Sequence, residues 1–260
     1  MSILVVRLVP EGLLFGADRN ITAQVTLSDG TEEIIVRGQS ERPKVLKWPN
    51  REVILGYVGA ADFGGEPADE WLYAFIGRNL DANTLDAVST SLTVELNTLS
   101  QDGRLRGPSI LHLGGFELVE GGWTPRVHFV RNTLELKPNG IYTWGEKFVC
   151  SEELSQENYF GARHGPEIQE LVRTGFFSFR QGYDLGSFGA IDQKLREALD
   201  AIIHSHPAQP HQAPTTLRDW AKHVALAIHG YGAYFAAFYP PFEQYVGGGA
   251  DVVWAAWPAE

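Results

Sequence analysis

The sequence predicts an α+β domain, because its strands and helices come in blocks instead of alternating one by one. Three observations carry that reading. Residues 1–18 form two apolar, β-branched-rich runs around a tight turn, two amphipathic helical stretches follow between residues 71 and 99, and a second block of strands precedes two further helical stretches and a closing strand. The chain has 260 residues and no Pro/Ser-rich linker, so a single domain spanning 1–260 is expected.

The first hairpin pairs Ile3 to Val9 with Gly12 to Ala17 around Pro10-Glu11. Ile21 to Leu27 and Glu33 to Arg37 alternate around Ser28-Asp29-Gly30, a second hairpin signal. Lys44 opens a segment running to the apolar strand Val53 to Val58, and the loop Asp62 to Pro67 places its proline where a helix begins. Trp71, Leu72, Phe75, Ile76 and Leu80 recur at helical spacing, as do Leu85, Val88, Leu92, Leu96 and Leu99. Strands are expected at Ser109 to Leu113, Phe116 to Glu120 and Arg126 to Arg131, divided by Gly114-Gly115 and Gly121-Gly122. Residues 134–180 carry the weakest pattern and read as an insertion, with a short helix at Pro166 to Val172 and a strand at Phe176 to Phe179. A third helix follows through Ile191, Leu195, Leu199, Ile202 and Ile203, and a fourth through Leu217, Trp220, Val224, Ile228, Tyr231 and Phe235; Gly247 to Trp254 closes the chain as a strand.

Composition narrows the function classes. An apolar content of 44%, with seven Trp and fourteen Phe, suffices for a sizeable core, and no apolar run of membrane-spanning length occurs. With 32 acidic against 21 basic residues the net charge is −11, which argues against nucleic acid or an anionic membrane as partner. The single Cys150 rules out an intrachain disulfide framework, and the first residues lack a basic region followed by a long apolar core, so a cytoplasmic protein is expected.

The chemistry concentrates at the start of the chain. Removal of Met1 would make Ser2 the amino terminus, with a hydroxyl and a free α-amine on one residue. A serine hydroxyl is a poor nucleophile until a base takes its proton. An α-amine titrates at about 7.7–8.0 and is partly neutral near pH 7, whereas lysine at about 10.4 needs a perturbed site to play that part. Asp18 closes the second strand and Lys44 opens the later segment; singly, Asp18 could cap the turn with Arg19-Asn20, Lys44 could be a solvated strand-end charge and Gly59 could serve a turn.

Taken together, these positions resemble the β-type subunits of the proteasome and their bacterial relatives, within the N-terminal nucleophile hydrolases. An Ala-x-Asp-like end to a strand pair, Lys44-Val45-Leu46-Lys47, and an apolar strand ending at Gly59 carry the resemblance, which also covers residues 215–257. It implies a four-layer αββα sandwich of two mainly antiparallel sheets between helical layers. It implies Ser2 as nucleophile, Asp18 as the acid that pairs Lys44, Lys44 as the cation that lowers nearby pKa values, Gly59 as oxyanion donor and Glu243 as an acid that orients the nucleophile. Val246 departs from the family, where a serine is usual, and the Gly-Ser-Gly motif has only Tyr183, Asp184 and Ser187 as candidates. Two functions are then expected as alternatives: an N-terminal serine hydrolase of amide or peptide bonds, or a catalytically silent relative serving as an assembly or interaction module. The implied partners are a peptide or amide substrate, further copies in a ring or spiral, and an unfoldase; no cofactor and no metal are implied.

Other signals are weaker. His204, His206 and His211 lack nearby Cys or a helical His pair and read as an interhelical loop. The Gly247-Gly248-Gly249 run precedes a strand and no Lys-Ser/Thr follows it, unlike a phosphate loop. Tyr231, Tyr234, Phe235, Phe238, Tyr239 and Phe242 read as core or subunit interface, and Cys150 as a thiol without a base.

Overall fold

The computed structural model describes residues 2–26, 28–29, 32–49, 51–136, 142–152, 177–182, 191, 193–194, 197–198, 214–240, 244 and 246–258. It is an α+β fold whose strand pairings are all antiparallel among the described residues. The strands are β1 (Ile3–Val9), β2 (Gly12–Asp18), β3 (Asn20–Thr26), β4 (Glu32–Gln39), β5 (Val45–Lys47), β6 (Val53–Gly59), β7 (Asp62–Phe63), β8 (Glu66–Pro67), β9 (Ser109–Val119), β10 (Gly122–Leu136), β11 (Tyr142–Glu152), β12 (Phe177–Gly182) and β13 (Ala250–Ala256). The helices whose full span falls among the described residues are α1 (Ala68–Arg78), α2 (Leu85–Gln101) and α3 (Leu217–Phe238). One sheet runs β12-β1-β2-β13 and the other β11-β10-β9-β6-β5, with β3-β4 and β7-β8 as separate ribbons.

Strand β1 is apolar at nearly every position because both its faces are covered. Leu4, Val6 and Leu8 point with Leu13 and Phe15 toward Ile54, Val58 and Val127 of the other sheet, while Ile3 and Val5 join Val224, Ile228 and Tyr231 of α3. The second sheet alternates likewise. Ile54 faces the first sheet, whereas Leu55, Leu111, Leu113 and Val130 pack against Trp71, Phe75, Leu92 and Leu96 of α1 and α2. Thr84 caps α2 by accepting from the Ala87 N–H, and Thr216 caps α3 by accepting from the Asp219 N–H.

Two expected boundaries are corrected. Gly114-Gly115 does not divide two strands; β9 runs through both. Neither glycine is there for a turn: a Cβ on Gly114 would sit 2.7 Å from Leu13 Cδ2 and Phe15 Cζ, and one on Gly115 would sit 2.6 Å from the Glu52 carbonyl oxygen. Gly114 lets the two sheets approach, and Gly115 lets the chain entering β6 lie close against β9. Gly121-Gly122 does belong to a turn, with Glu120 and Gly121 at φ of 51° and 85°. Strand β10 begins at Gly122 and includes Pro125, tolerated because β11 joins β10 only from His128 onward. The closing strand starts at Ala250 and not at Gly247.

Within 134–180, the described residues extend β10, form β11 against it and begin β12 against β1. The expected helix at Pro166 to Val172 lies outside the described residues. Of the expected helix through Ile191 to Ile203, residues 191, 193, 194, 197 and 198 are described and helical.

The close approach at Gly114 has a measurable consequence. Gly114→Val should destabilise by about 1–3 kcal/mol through overpacking against Leu13 and Phe15. Gly77→Ala, within α1 with nothing inside 4 Å of the new Cβ, should instead stabilise by about 0.5–1 kcal/mol. Denaturant unfolding of both variants checks the opposite signs.

Candidate active site

The ends of β1 and β2 meet at one rim of the first sheet. The register Leu4↔Ala17 brings Asp18 beside the start of β1, where Asp18 Oδ1 accepts the Ile3 N–H at 2.9 Å. Its other oxygen accepts the N–H groups of Asn20 and Gly247, each at 3.2 Å. Asp18 is thus held by three backbone donors from three parts of the chain, and is fully buried.

Lys44 arrives from the second sheet. Its carbonyl accepts the Tyr57 N–H at 3.1 Å, extending the β5–β6 ladder, and its side chain crosses to the first sheet. Lys44 Nζ lies 2.6 Å from Ser2 Oγ and 3.5 Å from Asp18 Oδ1, and donates also to the Asn20 carbonyl. All three ammonium protons therefore have an acceptor. The Ser2 hydroxyl donates at 3.3 Å to that same carbonyl, and Ser2 and Lys44 are 6% and 3% exposed.

Burial pushes the Lys44 ammonium below the usual lysine range, with Asp18 pulling it back up. Burial likewise pushes Asp18 above the usual carboxylate range, opposed first by Lys44 and then by the backbone N–H groups. A lysine with a lowered pKa spends more of its time neutral near pH 7 and can then accept a proton from the hydroxyl 2.6 Å away.

Ser2, Lys44 and Gly59 line one cavity of about 280 Å³, together with Asn20, Ser40, Tyr57, Asp69 and Glu70. Gly59 ends β6 at φ 127°, and a Cβ there would lie 2.2 Å from the Pro108 carbonyl oxygen, so neither the backbone conformation nor the space admits a side chain. Glu243 lies outside the described residues, as do Tyr183, Asp184, Ser187, His204, His206 and His211. Val246 is buried with Ile3 and Tyr231. The glycine run beside it wraps Asn20: the Asn20 side chain donates to the Gln244 carbonyl at 2.6 Å and lies against Gly247 and Gly248.

Sequence reasoning missed Ser40, Tyr57 and Asp69. Asp69 reads as an ordinary acid in the first turn of α1, and Ser40 as a loop residue; only the cavity joins them. A larger cavity of about 490 Å³ lies between Trp48, Val53, Leu85 and Trp123, without a nucleophile paired to a base. Ser89, His128 and Asp86 also align, with Ser89 Oγ 3.1 Å from His128 Nδ1 and His128 Nε2 3.4 Å from Asp86 Oδ1. Ser89 and His128 are each 2% exposed, which closes that group to a substrate.

No family model and no curated protein matches the chain. Among solved structures it is similar to Anbu (ancestral beta-subunit) from Yersinia bercovieri, at 11% identity and a TM-score of 0.45, over 98% of this chain and 82% of that one. It is also similar to an Anbu mutant from Hyphomicrobium sp. strain MC1, at 13% identity and a TM-score of 0.44, over the same shares. These values correct the assignment to the proteasome β-type subunits drawn from Ser2, Asp18, Lys44 and Gly59. A likeness this distant carries no argument about membership or activity, and a handful of matched positions is too few to define a family.

The charged cluster makes a signed prediction. Lys44→Met should slow any acyl transfer to Ser2 by about 10²–10⁴, the span of a lost general base. It should also cost up to about 3–5 kcal/mol of stability, because Asp18 stays buried without its cation. In the wild type the rate should climb with pH and level off below the ordinary lysine value of 10.5. Asp18→Asn removes the charge that holds Lys44 up, so the rising limb should move to lower pH; a pH–rate profile reads the direction.

Proposed function

We propose that the protein is an N-terminal serine hydrolase of amide or peptide bonds, acting through Ser2 once Met1 is removed. The observation that carries this is the 2.6 Å contact between Lys44 Nζ and Ser2 Oγ inside a buried cluster that opens on a cavity. A neutral amine, Lys44 Nζ or the α-amine, takes the Ser2 proton as Oγ attacks the carbonyl carbon. The oxyanion is received by the backbone N–H we assign to Gly59, a contribution of about 10²–10³ in rate. As the tetrahedral intermediate collapses, the proton passes to the leaving amine and the acyl group stays on Ser2. Water, deprotonated by the same amine, then attacks the ester carbon, the bond from that carbon to Ser2 Oγ breaks, and the amine returns the proton to Oγ as the acid leaves. Asp18 positions Lys44 and touches no substrate. We infer a helix–sheet–sheet–helix order of layers from the three apolar clusters described above.

A second reading has its own observation. Leu226, Tyr234 and Phe238 on α3 are 54%, 36% and 73% exposed, an apolar face suited to packing against another copy. On that reading the chain is an assembly module whose catalytic cluster is silent.

Labelling separates the two. The trimmed wild type should gain one adduct at Ser2 from a β-lactone, and from an epoxyketone, whose ring adduct needs hydroxyl and amine together; intact mass shows both. Ser2→Ala should remain unlabelled, yet lose only about 1–3 kcal/mol of stability for the two hydrogen bonds removed, one donated to the Asn20 carbonyl and one accepted from Lys44. Ser2→Thr should keep part of the labelling. A trimmed protein that takes neither label, cleaves no peptide of a broad library and sediments as an oligomer dispersed by Phe238→Ser would establish the assembly reading instead.

A further inference from the structure

Beyond Ser2 and Lys44, the cavity wall is acidic. Asp69, Glu70 and Glu41 all line it. Glu70 and Glu41 are exposed at the rim, but Asp69, on the first turn of α1, is only 7% exposed. Its surroundings are short of donors. Ser40 has one proton and two acceptors in reach, the Arg42 carbonyl at 2.6 Å and Asp69 Oδ2 at 3.1 Å, and the shorter contact competes directly for it. No hydrogen bond joins the Tyr57 hydroxyl to Asp69 among the described residues, and burial first, then Asp69, pushes that phenol above its usual range, so it stays protonated.

No cation lies within ion-pair distance of Asp69 among the described residues. Lys44 acts on it only at longer range, since the Lys44 ammonium is taken up by Asp18, Ser2 and Asn20. The Arg42 guanidinium sits 5.2 Å from the Tyr73 ring centre. The positive end of α1 favours an acid in its first turn, but this effect operates equally on a solvated carboxylate and does not require burial beside a nucleophile. A buried carboxylate facing a cavity without its own cation is complementary to a cationic ligand.

We propose that Asp69, with Glu70 and Glu41 at the rim, recognises a positively charged side chain on the acyl part of the substrate, so that the amides cleaved at Ser2 carry a lysine- or arginine-like group. This rests on the hydrolase reading for the bond broken, and on the cavity alone for the charge. The cavity, about 280 Å³, lies just below the roughly 300–1,000 Å³ of small-molecule sites and suits one extended side chain. The ammonium or guanidinium meets Asp69 and displaces water from its free oxygen, while the scissile carbonyl stays at Ser2.

Binding tests the charge apart from the chemistry. On the full-length Ser2→Ala protein, calorimetry should show benzamidine binding at least about tenfold more tightly than neutral, nearly isosteric benzamide. Asp69→Asn on that background should bring the ratio to about twofold or less, and Glu70→Gln, at an exposed and screened site with little risk to folding, should lower it about two- to threefold. Benzamide binding as tightly as benzamidine, or a ratio unmoved by both substitutions, overturns the proposal. In the trimmed, Ser2-intact enzyme, kcat/KM for amides of Arg and Lys should exceed those of Leu and Glu by at least about tenfold; a Leu or Glu preference also overturns it. A protein that never acylates at Ser2 but keeps the amidine preference overturns the hydrolase reading and retains the cation site. One that acylates without that preference does the reverse.

Discussion

The buried Lys44–Asp18 pair is the interaction on which the rest of the site depends. Taking two charges out of water costs several kcal/mol each, recovered only where the geometry supplies partners for the remaining protons and lone pairs. Here it does. Lys44 reaches Ser2, Asn20 and Asp18, and Asp18 accepts from Ile3, Asn20 and Gly247. The pair therefore ties the start of β1, the start of β3, the edge near β5 and the glycine run before β13 into one node. Any shift of these segments strands a buried charge, so the placement of Ser2 is coupled to the fold of distant parts of the chain.

That node exists because the two sheets come close. Leu13 and Phe15 of the first sheet lie where a Cβ on Gly114 would be, and Leu4 Cδ1 lies 2.7 Å from where a Cβ on Gly56 would be. Glycines in the second sheet thus set the spacing, and Lys44, at its edge, spans the gap to Ser2 with a single side chain. Packing between the sheets and chemistry at their rim share one cause. A bulkier residue at Gly56 or Gly114 would press on both.

The parts legible in the sequence were those written in periodicity and turn chemistry. The first hairpin, α1, α2 and α3 follow from apolar spacing, and Ser2 stands out for the hydroxyl and amine it would carry at the head of a strand, whereas Asp18, Lys44 and Gly59 were placed beside it only by the family resemblance. The parts that were not legible depend on long-range approach. Gly114-Gly115 looks like a break but serves packing against Leu13 and Glu52. The run Gly247–Gly249 looks like the start of a strand but folds around Asn20, so pairing with β2 begins only at Ala250. Strand β11 carries exposed Trp144 and Val149 beside buried Phe148, a pattern too irregular to stand out in sequence. The family resemblance failed for a related reason: a few matched positions describe a chemical arrangement, and chemistry alone does not establish descent.

Asp18 and Asp69 show why position in the hydrogen-bond network, more than residue type, separates structure from recognition. Both are buried acids near Ser2. Asp18 has a cation and three backbone donors, so its charge is compensated within the chain and a ligand has nothing to add. Asp69 shares one hydroxyl proton with a competing carbonyl and has no cation within ion-pair distance among the described residues. A desolvated charge left incomplete by the fold is a standing cost, and it is relieved only when something of opposite charge enters the cavity. The first carboxylate completes the buried polar cluster around Ser2. The second leaves an opening in it, and on the reading proposed above that opening is what the cavity offers to a cationic ligand.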